Sequence, residues 1–297
     1  MKIVVTGASG LIGTALVPYL RKQGHEVARL VRTRKVAADA IYWDPDNGEL
    51  NPHDLSGFDT IIHLAGANVA EGRWTEKRKR LILESRVYGL RTLTEAIRGC
   101  AEKPTTLISA SATGFYGDRG DDFLDETSES GTGFLAEVCR EWEGGLREVE
   151  STGLRTASLR LGIVLSSNGG ALGKMLPAFK CGAGGRLGSG KQWMSWISKE
   201  DLLRVINHVI VEHSIHGPVN AVAPQPVTNE EFTKTLARVL KRPAVLPVPA
   251  FMLRLLFGQM ADEALLASAR VKPQVVQASG FSFTHERLEH ALQSVLS

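Results

Sequence analysis

The chain has 297 residues, of which 43% are hydrophobic and 23% charged, and its formal net charge is +3. These values are ordinary for a globular protein with a sizeable core, and so small a charge gives no support to a nucleic-acid or membrane-surface protein. Cys100, Cys139 and Cys181 are widely spaced and odd in number, which indicates a reducing compartment and no metal site. With no leader segment and no apolar run of membrane-spanning length, we expect a cytoplasmic protein.

The first element is a predicted strand at residues 2–6, followed by Gly7-x-x-Gly10-x-x-Gly13 and an apolar helix pattern from Thr14. A strand, a tight glycine turn and a helix N-terminus together form an anion site, because backbone N–H groups and the helix dipole both face the ligand. The spacing departs from the usual G-x-G-x-x-G. The context nevertheless predicts a dinucleotide pyrophosphate site, and a loop of glycines without a ligand is the alternative.

The second predicted strand, residues 27–31, is followed by the cations Arg32, Arg34 and Lys35, and no acid occurs before Asp39. In dinucleotide-binding folds the residue that closes this strand lies beside the adenosine ribose, where an acid selects NAD. Three cations within four residues suit a 2′-phosphate, so we predict NADP(H). The alternative is a solvated charged loop.

Strands and helices continue to alternate, which predicts an α/β protein with a Rossmann-like, doubly wound parallel sheet and a smaller, mostly helical C-terminal subdomain. The further predicted strands are residues 40–44, 59–66, 105–109, 156–160 and 217–222, and the predicted helices include 74–97, 134–146 and 174–179. The expected cofactor domain comprises 1–168, with 200–223 returning to the sheet. The expected substrate-side subdomain comprises 169–199 and 224–297.

Two features place further residues near the cofactor. Leu64-Ala65-Gly66 ends a buried strand with small side chains at the carboxyl edge, where a cofactor lies in such folds. Arg86 falls in the middle of the long helix, where it either reaches the cofactor or forms a surface salt bridge. By contrast, the cations of residues 77–80 lack interleaved aromatic residues and indicate a solvated helix end rather than a nucleic-acid site.

Several motifs resemble extended short-chain dehydrogenase/reductases of the NAD-dependent epimerase/dehydratase type. They are the glycine loop at 6–13, Leu64-Ala-Gly66, Ser109-Ala-Ser-Ala-Thr113 and Tyr116-Gly117. Three others, Arg73-Trp74…Ser85-Arg86, Gly188-Ser-Gly-Lys-Gln-x-x-Ser-Trp-Ile197 and Gly280-Phe-Ser-Phe283, are similar to YfcH-like epimerase family proteins. The resemblance covers essentially the whole chain. It implies a cofactor site formed by Gly7, Gly10, Leu11, Ile12, Gly13, Arg32, Leu64, Ala65 and Arg86. To this set we add Ser9, Arg34 and Gly66, which lie in the same motifs and in the cation cluster after the second strand.

The catalytic pattern of that superfamily is incomplete in this chain. Hydride transfer there uses a tyrosine whose pKa is lowered by a lysine four residues later, but no Y-x-x-x-K occurs among the four tyrosines. Alignment by eye puts Leu135 and Cys139 in the two positions. Ser111 retains the position that hydrogen-bonds a substrate oxygen. Tyr116 is either a substitute acid or a packed loop aromatic.

The resemblance implies an oxidoreductase or epimerase acting on a nucleotide-sugar-like or other small carbonyl substrate. Because the Tyr/Lys pair is missing, a non-catalytic NADPH-binding sensor or interaction protein is the alternative. Candidates for the substrate loop are Lys174, Arg186, Lys191 and Gln192, although cations in glycine-rich loops are often simply solvated. We expect a monomer or homodimer with no nucleic-acid, membrane or metal partner.

Overall fold

The secondary structure alternates between strands and helices through most of the chain, and the computed structural model describes residues 1–34 and 37–297. The strands are β1 Lys2–Thr6, β2 Glu26–Val31, β3 Ala40–Tyr42, β4 Thr60–His63, β5 Thr106–Ala112, β6 Phe123–Leu124, β7 Arg155–Leu161, β8 Ile163–Leu165, β9 Trp193–Met194, β10 Trp196–Ser198, β11 Gly217–Ala221, β12 Val227–Thr228 and β13 Arg270–Val271. The α-helices are α1 Gly13–Lys22, α2 Glu76–Gly99, α3 Phe134–Glu150, α4 Gly170–Lys180, α5 Lys199–Val211, α6 Asn229–Leu240, α7 Ala250–Phe257, α8 Gln274–Ala278 and α9 Leu288–Leu296.

The main sheet has seven strands in the order β11-β7-β5-β4-β1-β2-β3, and every neighbouring pair is parallel. From β1 the chain builds outward to β2 and β3 on one side and to β4, β5, β7 and β11 on the other. The topological switch therefore lies between β1 and β4, which is where ligands bind in open parallel sheets. The predicted Rossmann-like α/β fold is confirmed.

The two faces of the sheet carry separate apolar layers, because successive side chains on a strand point to opposite faces. On β4, Ile61 packs in the layer beneath α2 and α3, whereas Ile62 packs in the layer beneath α1 and α5. Both side chains are completely buried. This double burial explains why the sheet strands read as continuous β-branched runs rather than as an alternating pattern.

The C-terminal part is mostly helical, as predicted, and it contacts the sheet domain at the N-terminal ends of α2 and α3. Met260 packs with Trp74 and Val138 in a small apolar cluster. The Glu263 carboxylate accepts a 2.8 Å hydrogen bond from the backbone N–H of Leu135. A side chain from the C-terminal part thus satisfies one of the open donors at the start of α3.

Helix boundaries differ from the predicted ones where a local cap decides them. The long helix begins at Glu76 rather than Trp74, because Thr75 is its N-cap and its hydroxyl accepts the N–H of Arg78. The fourth helix extends over Gly170–Lys180, beyond the predicted 174–179. No helix among the described residues combines the length and apolarity needed to cross a membrane.

Candidate functional site

The glycine loop after β1 leaves three backbone donors open at the start of α1. Gly7 has φ +66°, and a Cβ there would lie 2.8 Å from the Ala65 nitrogen, so only glycine fits this turn. Helix α1 has no side-chain cap. The N–H groups of Leu11, Ile12 and Gly13 donate to no acceptor in the described part of the chain, which makes the loop suited to an anion.

A cavity of about 430 Å³ adjoins this loop and contains a cation that the sequence did not single out. The loop residues Ser9, Gly10 and Leu11 line one side, and Gly169 and Lys199 line the other. Lys199 is half-buried, and its ammonium group makes no hydrogen bond or salt bridge with any described residue. The sequence alone does not link Lys199 to the glycine loop, because only the tertiary structure brings the start of α5 beside that loop.

The backbone after β4 is held by the hydroxyl of Thr6. This oxygen accepts hydrogen bonds from the N–H groups of Leu64 and Ala65, both at 3.1 Å. With its lone pairs used, the hydroxyl donates its hydrogen to Nδ1 of His63, 2.9 Å away, so the imidazole proton is assigned to Nε2. Burial, and secondarily the charge of Arg86, lowers the pKa of His63 to about 3, and the ring is neutral at physiological pH.

Arg86 lies beside this backbone as a half-buried cation that has no carboxylate partner among the described residues. Its guanidinium donates to the carbonyl oxygens of Ile82 at 2.8 Å and Ala67 at 3.1 Å. Its carbon Cζ lies 4.8 Å from the centre of the Trp142 ring and close to Gly66. Burial lowers the pKa of Arg86 to about 10, so the charge persists at pH 7. A half-buried arginine bonded only to neutral groups is available to an anionic ligand.

At the end of β2, Arg32 is close to two carboxylates that the sequence did not predict there. It forms a salt bridge with Asp46 and lies 4.0 Å from Asp44. The absence of an acid between Arg32 and Asp39 in the sequence therefore does not leave this position free of carboxylates. Parallel pairing of Val31 with Tyr42 makes β2 and β3 end side by side, which brings acids distant in sequence to Arg32.

Arg34 lies above the ring of Tyr42, 4.6 Å from its centre, and contacts Glu49 at 3.2 Å. Lys35, the third cation of the cluster, lies outside the described residues. The two arginines that the structure describes are thus both at the adenosine end of the expected cofactor path, and both are largely exposed, with 61% and 76% of their side chains accessible.

Ser111 ends β5 and points toward α3. Its hydroxyl donates to Glu143 Oε1 at 2.7 Å. Glu143 in turn forms a two-point salt bridge with Arg160, through Nε at 3.0 Å and Nη2 at 2.8 Å. This buried carboxylate and guanidinium connect β5, α3 and β7, and neither was singled out from the sequence because the connection depends on strand order.

Tyr116 is completely buried, which favours the packed-aromatic alternative over a substitute acid. Its hydroxyl lies 2.7 Å from Asn220 Oδ1 and accepts a 2.9 Å hydrogen bond from Arg160. Burial raises the pKa of this hydroxyl to about 12. A proton held this tightly and away from any opening is poorly placed for general acid catalysis near neutral pH.

The two positions of the missing Tyr/Lys pair hold groups without acid/base character at pH 7. Leu135 packs against Gly114. Cys139 is buried, its thiol contacts the carbonyl of Ala112 at 3.7 Å, and burial raises its pKa to about 11. The thiol therefore stays protonated at pH 7.

The four substrate-loop candidates do not converge on one point. Lys174 donates a 2.7 Å hydrogen bond to the carbonyl of Ala70, so it joins α4 to the loop after β4. Arg186 donates to carbonyls of its own loop, and Lys191 is exposed. Gln192 is buried, and its amide nitrogen donates to the carbonyls of Leu187 and Leu265, which leaves only its side-chain oxygen for a ligand.

Comparisons with known proteins agree with this architecture. Residues 3–221 match the NAD dependent epimerase/dehydratase family, and residues 248–295 match a domain of unknown function, DUF1731. An epimerase family protein of Mycobacterium tuberculosis is 41% identical over 290 residues, which cover 98% of this chain and 96% of that protein. The chain belongs to the NAD dependent epimerase/dehydratase family.

Two solved structures of the family resemble this chain closely. The crystal structure of human epimerase family protein SDR39U1 with NADPH superposes with a TM-score of 0.92 at 32% identity, covering 99% of each chain. A nucleoside-diphosphate sugar epimerase from Corynebacterium glutamicum gives a TM-score of 0.81 at 37% identity, covering all of this chain and 58% of that one. The family resemblance predicted from the sequence motifs is confirmed.

Proposed function

We propose that this protein binds NADP(H) along the carboxyl edge of the sheet. The observation that carries the proposal is the set of unsatisfied donors at that edge: three open N–H groups on the glycine loop, with the unpaired cations Lys199 and Arg86 nearby. The side-chain-free turn at Gly7 fits a pyrophosphate, since the backbone can approach it closely. The NADPH in the human relative supports the same assignment.

Each group has a distinct part in holding the cofactor. The glycine-loop N–H groups bind the pyrophosphate, and Arg86 adds a charge-assisted hydrogen bond to a phosphate or ribose oxygen. Thr6 fixes the backbone of Leu64 and Ala65, against which the cofactor lies. At the adenosine end, Arg32 and Arg34 bind the 2′-phosphate. When it does so, Arg32 leaves its salt bridge with Asp46.

The chemistry that such a cofactor supplies is hydride transfer, and we propose a small carbonyl or alcohol substrate, with a nucleotide-linked sugar as the first candidate. Membership of the family and the name of the Corynebacterium glutamicum relative support this substrate class. In the alcohol form of the substrate, Ser111 orients the reacting hydroxyl by accepting its hydrogen. Its own proton is directed to Glu143, so the serine acts as an acceptor toward a substrate hydroxyl.

A second candidate, a cofactor-binding sensor without turnover, is favoured by one observation. All four tyrosine hydroxyls lie in the described residues, and the one near the expected substrate position, that of Tyr116, is buried under Arg160 and Asn220. Without a lysine-activated tyrosine, proton transfer during hydride transfer needs another group.

One pair of measurements distinguishes the two candidates. NADPH affinity is measured by titration calorimetry. NADPH oxidation is followed at 340 nm with keto-sugars and simple aldehydes, and NADP+ reduction is followed at the same wavelength with UDP-sugars. Turnover with at least one of these substrates supports the enzyme. Tight NADPH binding with no turnover supports the sensor, and failure to bind NADPH removes both.

A further inference from the structure

A second cavity of about 430 Å³ lies between α3 and strands β7 and β11. Its floor is the face of β7 that carries Thr156, Ser158 and Arg160, three polar side chains that alternate along the strand and point toward α3. None of these residues belongs to the glycine loop or the β4 edge. The cavity is therefore separate from the proposed cofactor path.

Two of the three polar residues on this face have a carboxylate partner on α3. The Thr156 hydroxyl donates to Glu150 at 2.5 Å, and Arg160 pairs with Glu143. The residue between them, Ser158, is 3% exposed, and its hydroxyl has no hydrogen-bond partner among the described residues. A buried hydroxyl without a partner is unusual in a folded protein.

The part of α3 that faces Ser158 offers nothing to fill this gap. A Cβ on Gly144 would meet no atom within 4 Å, whereas one on its neighbour Gly145 would lie 2.8 Å from Leu90. Packing thus explains Gly145 but not Gly144, although glycine is disfavoured in a helix interior. One turn later, Arg147 is exposed and makes no hydrogen bond or salt bridge through its side chain in the described chain.

We propose that this cavity binds a sugar phosphate. Arg147 and Arg140 lie at the rim and would bind the phosphate group, since guanidinium groups match phosphate oxygens. Deeper in the cavity, the Ser158 hydroxyl and the half-buried Glu143 carboxylate can form hydrogen bonds with sugar hydroxyls, and the exposed Glu150 carboxylate adds an acceptor beside Thr156. The proposal stands apart from cofactor binding, because these contacts avoid the glycine loop and the β4 edge, although the cavity shares Glu143 with Ser111.

The arrangement favours a sugar phosphate over a free phosphate and over a neutral sugar. A free phosphate would contact the rim arginines but would leave Ser158 unpaired, and the half-buried Glu143 carboxylate would repel it. A neutral sugar would reach Ser158 but would forgo the guanidinium groups. Only a ligand that carries both a phosphate and a sugar would bind the rim arginines and Ser158 at the same time.

Titration calorimetry on the full chain tests the proposal with glucose 6-phosphate, glucose and inorganic phosphate as probes. Glucose 6-phosphate is expected to bind in the submillimolar range, at least tenfold more tightly than either of the others. Gly144→Leu, which fills the cavity, and Arg147→Gln should each weaken it at least tenfold. Arg242→Gln, at an exposed position after α6, is the control and should not change it. NADPH affinity should be the same in all variants.

Ser158→Ala keeps the test independent of folding defects, because it removes only the unpartnered hydroxyl. It should weaken glucose 6-phosphate binding while preserving the thermal midpoint. The proposal is overturned if no probe binds, or if Gly144→Leu and Arg147→Gln bind glucose 6-phosphate as tightly as the parent does. It is also overturned if phosphate binds as tightly as the sugar phosphate, which would indicate an adventitious ion only. A change of oligomeric mass in Gly144→Leu without probe binding in the parent would assign the cavity to a second copy of the chain.

Discussion

The hydroxyl of Ser111 lies 2.7 Å from the carboxylate of Glu143. A serine at the end of a central strand thus already has an acceptor for its proton, and only its lone pairs remain for a bound ligand. The same carboxylate is paired with Arg160, so the serine is held in one orientation by a buried ion pair.

Replacing Ser111 with alanine is expected to lower turnover about tenfold and to leave NADPH affinity unchanged, because one hydrogen bond to the reacting oxygen is worth about 1–3 kcal/mol. Steady-state kinetics and calorimetry on the same preparations measure both quantities. Equal turnover in the variant would exclude Ser111 from the mechanism.

Tyr116→Phe provides the control for that experiment. Because the Tyr116 hydroxyl is bonded to buried Asn220 and Arg160, the variant should lose about 1–3 kcal/mol of unfolding free energy with unchanged turnover. A loss of turnover without a loss of stability would instead identify Tyr116 as the acid.

Arg86→Met is expected to weaken NADPH and NADH equally, by about ten- to a hundred-fold, since the contact it removes is common to both cofactors. The unfolding free energy of the cofactor-free protein should change by less than about 1 kcal/mol, because no buried carboxylate loses its partner. Calorimetry measures the two cofactor affinities, and urea titrations measure the unfolding free energy. Arg91→Met, an exposed residue of the same helix that pairs with Glu95, should change neither affinity, and selective loss of NADPH in Arg86→Met would contradict the assignment.

Arg32→Ala should weaken NADPH about tenfold and leave NADH nearly unchanged, since only NADPH carries the 2′-phosphate; the exposure of Arg32 limits the effect. Asp46→Asn should act in the opposite direction and tighten NADPH, because it removes the carboxylate that competes for Arg32. Titrations at two salt concentrations measure both effects. NADH binding as tightly as NADPH in the unmodified protein would refute the role of Arg32.

Acid should destabilise the protein through His63. Its pKa in the folded state is about 3, below the value of 6.5 of a free histidine, so the unfolded chain binds the extra proton first. Stability is therefore complete above pH 6.5 and falls as the pH drops toward 3, by up to a few kcal/mol. Thermal midpoints between pH 4 and pH 8 should show this slope, and it should be smaller in His63→Asn, which retains an acceptor for Thr6. An unchanged slope would assign the acid sensitivity to other groups.

The parts of the site that lie within one short segment could be predicted from the sequence. Gly7, Gly10 and Gly13 follow a β-branched run directly and precede an apolar helix, so the strand, the turn and the helix are all encoded locally. The order of elements along the chain also sufficed to predict the parallel sheet, because few other folds are compatible with alternating strands and helices.

The rest depends on which strands become neighbours. Asp46 reaches Arg32 only because β3 pairs with β2, and Glu143 meets Ser111 and Arg160 only because β5 and β7 are adjacent beneath α3. Lys199 is similar, since nothing around it in the chain indicates that α5 begins beside the glycine loop. Electrostatic partners of this kind are fixed by tertiary structure and leave no local pattern.

The capping of α3 by Glu263 has a consequence for how the chain unfolds. Because a carboxylate of the C-terminal part satisfies the N-terminus of a helix in the sheet domain, and Met260 fills a gap beside Trp74, neither half completes its own structure. The segment of unknown function is thus not an independent appendage. A fragment that stops before it would expose the apolar cluster around Trp74 and leave the start of α3 uncapped, so we expect the two parts to melt together.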